Sequence, residues 1–429
     1  MRSWIGLLLG VSILAVAGCA AENERGGDAG AAWVGTITTE DDITTVRNQA
    51  GSLWGGTARL IEEASIGVEA GEDAYMFGRV RSVAASPDRI YVLDSQVPAL
   101  RAYDRDGRHV MDLGREGEGP GEFRNPSAVG VDAEGRVWLH DQGQQRIIVF
   151  APGGEAVETL SLGGARISGS TQSMVLSPDG RAFILDVVRP EGPDAAGTDS
   201  RIVMRPHALE GEAGEPIDLP SFESPAYLEA RGSNMVRFQE IPFRANGTWA
   251  LTTSAALLIG YPDTYRFEIR HRDGRITAIE RDWQDRIAVA PDEADAYREA
   301  AIAFLRGADP EWVWPDPEIP QTKPAFSRFV PAQSGEVWVV RPGPAALDTA
   351  CNEEDFPPSG EPHCWREEPI IDVFGAGGRY LGRVVVPAEL QWDPLPFING
   401  REIIARVDDT AGTVMVKRYR VELPDGADP

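Results

Sequence analysis

The sequence predicts an all-β fold: a six-bladed β-propeller closed by an N-terminal strand, with one short helical insertion between blades 4 and 5. Three observations predict it. First, SVAASPDRIYVLDSQVPALRAYDRDGRHV from Ser82 and VGVDAEGRVWLHDQGQQRIIVFAPGGEAV from Val129 align at an offset of 47 residues. Second, one type of tight polar turn recurs six times, at Pro87-Asp88, Glu134-Gly135, Asp179-Gly180, Asn246-Gly247, Ser334-Gly335 and Asn399-Gly400. Third, the chain that follows the leader and its small polar tether, about 390 residues, exceeds what one ordinary core needs, so two domains or one repeat architecture is expected.

The first residues do not belong to that fold. In MRSWIGLLLGVSILAVAGC, Arg2 precedes an apolar run from Trp4 to Ala17, which is short for a bilayer span and reads as a signal segment, 1–18. Residues 19–41 begin with small and polar types and are expected to form a flexible tether. The propeller is expected over 42–424, followed by a tail at 425–429.

Each repeat holds a strand, a tight turn, an apolar strand ending in Asp94 or Asp141, another strand and a second tight turn. RIYVL and RVWLH show the period-2 alternation of half-buried strands. An aromatic follows the first turn in five of the six copies: Tyr91, Trp138, Phe183, Trp249 and Trp338. The second turn recurs at Asp106-Gly107, Gly153-Gly154, Asp273-Gly274 and Gly377-Gly378, with a weaker copy near Gly211. Such pairs supply the positive φ of two-residue hairpins.

The stretch GREGEGPGEF at 114–123 has the glycine density of a phosphate loop, but Pro126 and a strand follow it rather than a helix and a lysine. It reads as a crossover from an outer strand to the next blade, with Glu116, Glu118 and Glu122 as candidate calcium ligands. A degenerate copy, IGVEAGEDAYMFGRV, starts at Ile66 and should also follow an outer strand, RLIEEAS. The last blade, REIIARVDD then TVMVKRYRV, runs out of chain before making that strand. The N-terminal strand is therefore expected to complete it and remove the free edge.

Tight turns trim one face of such a ring. The longer segments fall on the other: 187–200, the crossovers 219–241 and 282–325, and 341–368. Insertions collect where binding is tuned, so that face is the candidate site. Within 282–325, Pro291 and Asp292 suit a first helical turn, and Ala294, Tyr297, Ala301, Phe304 and Leu305 share one helical face. Trp312 and Trp314 follow, either pinning the helix or forming an aromatic shelf for a sugar, peptide or partner. Cys351 and Cys364, in a Pro/Gly-rich stretch of an exported chain, read as a disulfide. The rival is a metal site with His363, Glu353, Glu354 and Asp355.

Aligned on the turns, Arg81 and Arg328 match, and Arg124, Arg237 and Arg244 fall close to equivalent places at strand starts near the channel. An arginine cluster in an acidic protein either receives a carboxylate or phosphate, or pairs with neighbours such as Asp132 and Glu240. The formal charge of −26 excludes nucleic acid as a partner, because nothing offsets phosphate repulsion. Lys323 and Lys417 are the only lysines, which argues against Schiff-base chemistry. His140-Asp141 is the one suggestive catalytic pair, but Asp94 and Asp186 hold the same place beside leucines, so the aspartate is structural first.

Two resemblances add to this reading. Val16-Ala17-Gly18-Cys19 resembles the bacterial lipobox, which implies cleavage before Cys19, its acylation and a membrane tether. NPSAVGVDAEGRVWLHDQGQQRIIVFAPGGE resembles an NHL-type repeat, and residues 60–421 resemble six-bladed, TolB-like propeller lipoproteins. These imply a lipid-anchored, monomeric protein of the cell envelope. Its expected role is to bind a protein partner or small anionic ligand on the inserted face, without catalysis or cofactor. Candidate binding residues are Arg81, Arg328, Arg244, Arg124, Asn125, Trp312 and Trp314. The alternative is a calcium-dependent hydrolase or lactonase of the kind some six-bladed propellers resemble, in which Glu, Asn and Asp from separate blades hold the calcium; this sequence puts arginines near most strand starts, with Asn125 and Glu240 the exceptions. A lyase using a channel histidine is the third reading.

Overall fold

The computed structural model describes residues 31–163, 172–188, 200–212, 214–222, 227–282, 285–315, 317–409 and 411–427. The signal segment and Cys19 lie outside the described residues, as do 189–199 of the expected blade-3 insertion. The described chain is a six-bladed β-propeller. Blade 2 shows the unit: Pro126–Val131, Val137–Asp141, Arg146–Phe150 and Ala156–Ser161 pair in sequence as an antiparallel four-stranded sheet. Blades 1, 3, 4 and 5 repeat it over 80–113, 174–218, 248–281 and 328–385.

Blade 6 has Phe397–Asn399, Glu402–Asp408 and Val414–Glu422, and its outer strand is Thr57–Ile66. That strand pairs antiparallel with Val414–Glu422, from Arg59 opposite Glu422 to Ile66 opposite Val416. It also pairs in parallel with Tyr380–Val385 through Thr57–Arg59, which joins blades 5 and 6 into one eight-stranded sheet.

The core is a set of wedges between neighbouring blades. Tyr91 packs between blades 1 and 2, Trp138 between 2 and 3, Phe183 between 3 and 4, and Trp338 between 5 and 6. A strand whose two faces both meet other sheets must be apolar on both, which explains the near-continuous burial of VWLHD and VWVVR.

Three expectations are corrected. The tether over 19–41 gives way to structure from Val34. Val34–Glu40 and Ile43–Ala50 form a hairpin that adds in parallel to Ile276–Arg281 and extends blade 4 to six strands. Asn48 locks this hairpin: its Nδ2 donates to the Glu280 and Gly378 carbonyls, and its Oδ1 accepts from Trp33 Nε1 and Tyr380 N. Blade 4 is also shifted. Asn246-Gly247 precedes the inner strand Thr248–Leu251 rather than following it, and the first turn is Thr252–Ala256 with Ala255 at φ 60°. Trp249 therefore lies on the inner strand rather than the second. Finally, part of the 219–241 crossover is a hairpin, Tyr227–Arg231 with Val236–Glu240, that packs on the helix.

GREGEGPGEF is a crossover. Gly114 has φ 68°, and a Cβ there would lie 2.3 Å from the Gly121 carbonyl oxygen and 2.8 Å from Phe123 Cε1, so the loop closes only around glycine. Two of its three carboxylates are engaged within the chain: Glu122 accepts from Gly119 N and Arg115, and Glu118 pairs with Arg124.

Candidate functional site

The inner strands of all six blades face a central cavity of about 150 Å³, lined among others by Arg81, Ser127, Ser173, Gln172 and Phe397. Two of these are placed by the same local device. The register of blade 1 jumps between Val80 and Ser82, and that of blade 2 between Pro126 and Ala128. The residue left over in each bulge, Arg81 or Ser127, is thereby turned out of the ladder.

The aspartates that close the second strands of blades 1 and 2 hold this geometry. Asp94 accepts from Gly78 N, Arg79 N and Gln96 N at 2.7–3.1 Å, and Asp141 accepts from Arg124 N, Asn125 N and Gly143 N at 3.0–3.2 Å. In blades 1 and 2 the Asp thus ties the crossover to its blade and also caps the turn that follows, a structural role as expected. In blade 3, Asp186 instead takes Arg205 Nε at 2.6 Å. In blade 5 the same place is held by Arg341.

Ser127 Oγ lies 2.8 Å from His140 Nδ1 and 3.3 Å from Ser173 Oγ. Burial drives the His140 pKa down to about 4, so the imidazole is neutral across the physiological range. His140 stands behind Ser127 and does not line the cavity. Gln172 clamps the Leu251 backbone, its Nε2 donating to the carbonyl at 3.1 Å and its Oε1 accepting from N at 2.8 Å.

Of the candidate residues, Arg81 alone lines this cavity, half-buried and with no carboxylate of the described residues in ion-pair contact. Arg328 pairs with Val340, the register at which Ser82 meets Leu93, so it sits one place beyond Arg81. Its Nη1 donates to the Trp392 carbonyl, and burial lowers its pKa. Trp392 itself buries an indole N–H with no acceptor among the described residues. Arg81 and Arg328 flank the crossover into blade 6, whose Pro394–Phe397 segment lines the cavity beside Arg81.

The other candidates are dispersed. Arg124 is exposed and pairs with Glu118 at 2.7 Å; Arg244 and Asn125 are exposed. Arg237 lies on the inserted hairpin, over the Phe304 ring at 4.6 Å. Glu240 accepts from Asn246 Nδ2 at 2.7 Å.

The tryptophans pin the insertion. Helix α1, Pro291–Arg306, buries Ala301 and Leu305, the latter packed against Leu228, Ala230, Ile241 and Trp312. Trp312 Nε1 donates to the Glu229 carbonyl with its ring buried, and Trp314 Nε1 donates to the Pro317 carbonyl with its ring half-buried. The helix is further held by Lys323, buried between Glu293 at 2.7 Å and Glu367 at 2.8 Å. Cys351 and Cys364 form a disulfide, and His363 stacks on Phe356. Among the described residues, no group of three or more His, Cys, Asp or Glu is arranged to hold a metal ion.

Sequence reasoning missed Ser127, Ser173 and Gln172. The signal for Ser127 is its position in a bulge, revealed only once strand register is known, whereas Gln172 and Ser173 directly precede the inner strand Met174–Leu176.

Residues 70–164 match the model of a family described as a 6-bladed beta-propeller, DUF5128. No curated protein matches the chain. Among solved structures, a DUF4221-family member from Bacteroides vulgatus is similar at 8% identity, covering 86% of this chain and 99% of that one, with TM-score 0.44. A gluconolactonase from Xanthomonas campestris is similar at 13% identity, covering 85% and 90%, with TM-score 0.35. A virginiamycin B lyase from Staphylococcus aureus is similar at 9% identity, covering 80% and 85%, with TM-score 0.32.

Proposed function

We propose that this chain is a non-enzymatic binding propeller of the cell envelope that receives an anionic group of a ligand or partner at the inserted-face mouth of its channel. The observation that carries the reading is Arg81. In a chain of formal charge −26, its guanidinium faces a cavity without a carboxylate partner among the described residues. A cavity of about 150 Å³ admits a carboxylate or phosphate group rather than a whole cofactor. The surrounding Ser127 and Ser173 hydroxyls supply neutral hydrogen bonds, and neutral His140 adds no competing charge.

Inorganic phosphate and acetate are the probes. Wild-type protein is expected to bind one of them saturably by NMR titration. Arg81→Met should weaken that binding at least tenfold, since a charge-assisted hydrogen bond is worth about 1.5–3 kcal/mol. The variant should melt close to wild type, because no internal partner is orphaned. Equal binding by the variant, or a large loss of stability, would remove Arg81 from the site.

The envelope location and lipid anchor rest on the lipobox-like end at Cys19 and agree with the Cys351–Cys364 disulfide. Intact-mass analysis of protein extracted from membranes should find Cys19 as an acylated first residue. An unmodified or differently cut N-terminus would defeat the anchor.

A further inference from the structure

A second site lies on the opposite face, where blade 5 departs from blade 2. Trp138 and Trp338 occupy the same place, opposite Gly130 and Val330 of their inner strands. In blade 2 the gap toward blade 3 is filled from within: Trp138 Nε1 donates to Asp132 Oδ2 at 2.8 Å, and Arg136 Nε donates to the same oxygen at 2.7 Å. In blade 5 the place of Asp132 is taken by Ala332 and that of Arg136 by Glu336. The turn itself is unchanged, with Ala332 N donating to the Glu336 carbonyl as Asp132 N does to that of Arg136. Trp338 is 2% exposed, yet its indole N–H has no acceptor among the described residues.

Here a cavity of about 560 Å³ opens between the turns of blades 5 and 6, a volume in the range of small-molecule sites. Trp338, Trp54, Arg379, Arg401 and Glu336 line it, over an apolar floor that includes Leu423. Neither Arg379 nor Arg401 is in ion-pair contact with a carboxylate of the described residues, and both are exposed, with the Arg379 guanidinium 5.9 Å from the centre of the Trp33 ring. Trp54 is seated on backbone: a Cβ at Gly382 would lie 2.7 Å from its Cε3, so glycine there lets the indole lie against the strand. Glu336 is held by the Ser334 hydroxyl.

We propose that this cavity binds a flat, apolar-bodied monocarboxylate that also carries a hydroxyl or amino donor. Arg379 and Arg401 receive the carboxylate, the guanidinium geometry suiting its two oxygens. The Trp338 indole N–H meets a further acceptor on the ligand, Trp54 covers its body, and Glu336 accepts from its donor group. One acidic group in the cavity disfavours phosphate dianions, which separates this site from the channel.

The probe is 6-hydroxy-2-naphthoate, with 2-naphthol as its uncharged counterpart. Calorimetry on the full chain should show saturable naphthoate binding, and the indole ¹⁵N–H resonance assigned through Trp338→Phe should move with it. Naphthol should bind at least tenfold more weakly, and so should naphthoate to the Arg379→Met/Arg401→Met variant. Ala332→Asp with Glu336→Arg rebuilds the filled arrangement of blade 2; it should abolish binding while melting at or above wild type. Arg81→Met should leave naphthoate binding unchanged, which keeps the two sites distinguishable. The proposal is overturned by an unmoved Trp338 resonance at millimolar naphthoate, by equal binding of naphthol, or by full binding in the double arginine variant. Should the rebuilt variant fail to fold, the arginine variant decides.

Discussion

Asp372→Asn should lower stability by about 3–5 kcal/mol, the cost typical of breaking a buried charge pair from one side. Asp372 is fully buried in the third strand of blade 5. Its Oδ2 accepts from Tyr265 Oη at 2.8 Å, Arg281 Nη1 at 2.8 Å and Arg341 Nη1 at 3.2 Å, and its Oδ1 accepts from Tyr380 Oη at 2.9 Å. Arg281 also stacks on the Tyr380 ring at 4.0 Å. Asp285 pairs with Arg341 and Arg383 at the outer end of the cluster. An asparagine would turn an amide N–H₂ toward guanidinium donors and leave Arg281 and Arg341 facing each other with one less charge between them.

The pH dependence follows from the same contacts. Burial pushes the Asp372 carboxyl up, but Arg281, Arg341 and Arg383 together hold it below the usual carboxylate range. A depressed folded pKa means the unfolded chain takes up the proton first as pH falls. The stabilisation is therefore whole above the unfolded value of about 3.9 and is lost as pH drops through the lower folded value. Urea unfolding of wild type and variant should differ by a constant amount from pH 7 to about pH 4, and converge below it. A difference under about 1 kcal/mol at pH 7 would mean that the cluster is not holding blades 4 and 5 together.

The second large effect is expected at the ring closure. A chain begun at Glu69 lacks Thr57–Ile66 and leaves Val414–Glu422 as a free edge. It also exposes the wedge that Ala58 and Ile66 fill, each 1% exposed in the intact protein. The lost apolar burial alone is on the order of 5 kcal/mol at about 25 cal/mol/Å², and the open edges invite association between chains. A chain begun at Gly51 loses only the hairpin on blade 4 and keeps the closing strand. It should melt cooperatively and remain monomeric, whereas the shorter chain should melt far lower or aggregate. Equal melting temperatures and equal solubility for the two chains would refute closure by Thr57–Ile66.

What the sequence determined by itself is whatever is written in short-range pattern. Period-2 strands, turn pairs with positive φ, and the aromatics at Tyr91, Trp138, Phe183 and Trp338 announce the blades, because each depends only on residues a few places apart. Closure was legible too, because a last blade one strand short and a first strand with no blade leave a single consistent pairing. The disulfide was legible from Cys351 and Cys364 alone.

Tertiary structure decided the rest. The hairpin of Val34–Ala50 carries no local mark of its partner, since Asn48 reaches Glu280 across 232 residues of chain. Blade 4 slipped because Thr252–Ala256 makes its turn with a non-glycine at positive φ, while Asn246-Gly247 offers the stronger turn signal in the wrong place. Arg81 and Arg328 look equivalent when turns are aligned, but a one-residue bulge turns Arg81 to the channel and leaves Arg328 in the ladder. A strand alternates faces at every residue, so one inserted residue changes what a side chain meets, and only the paired register reveals it.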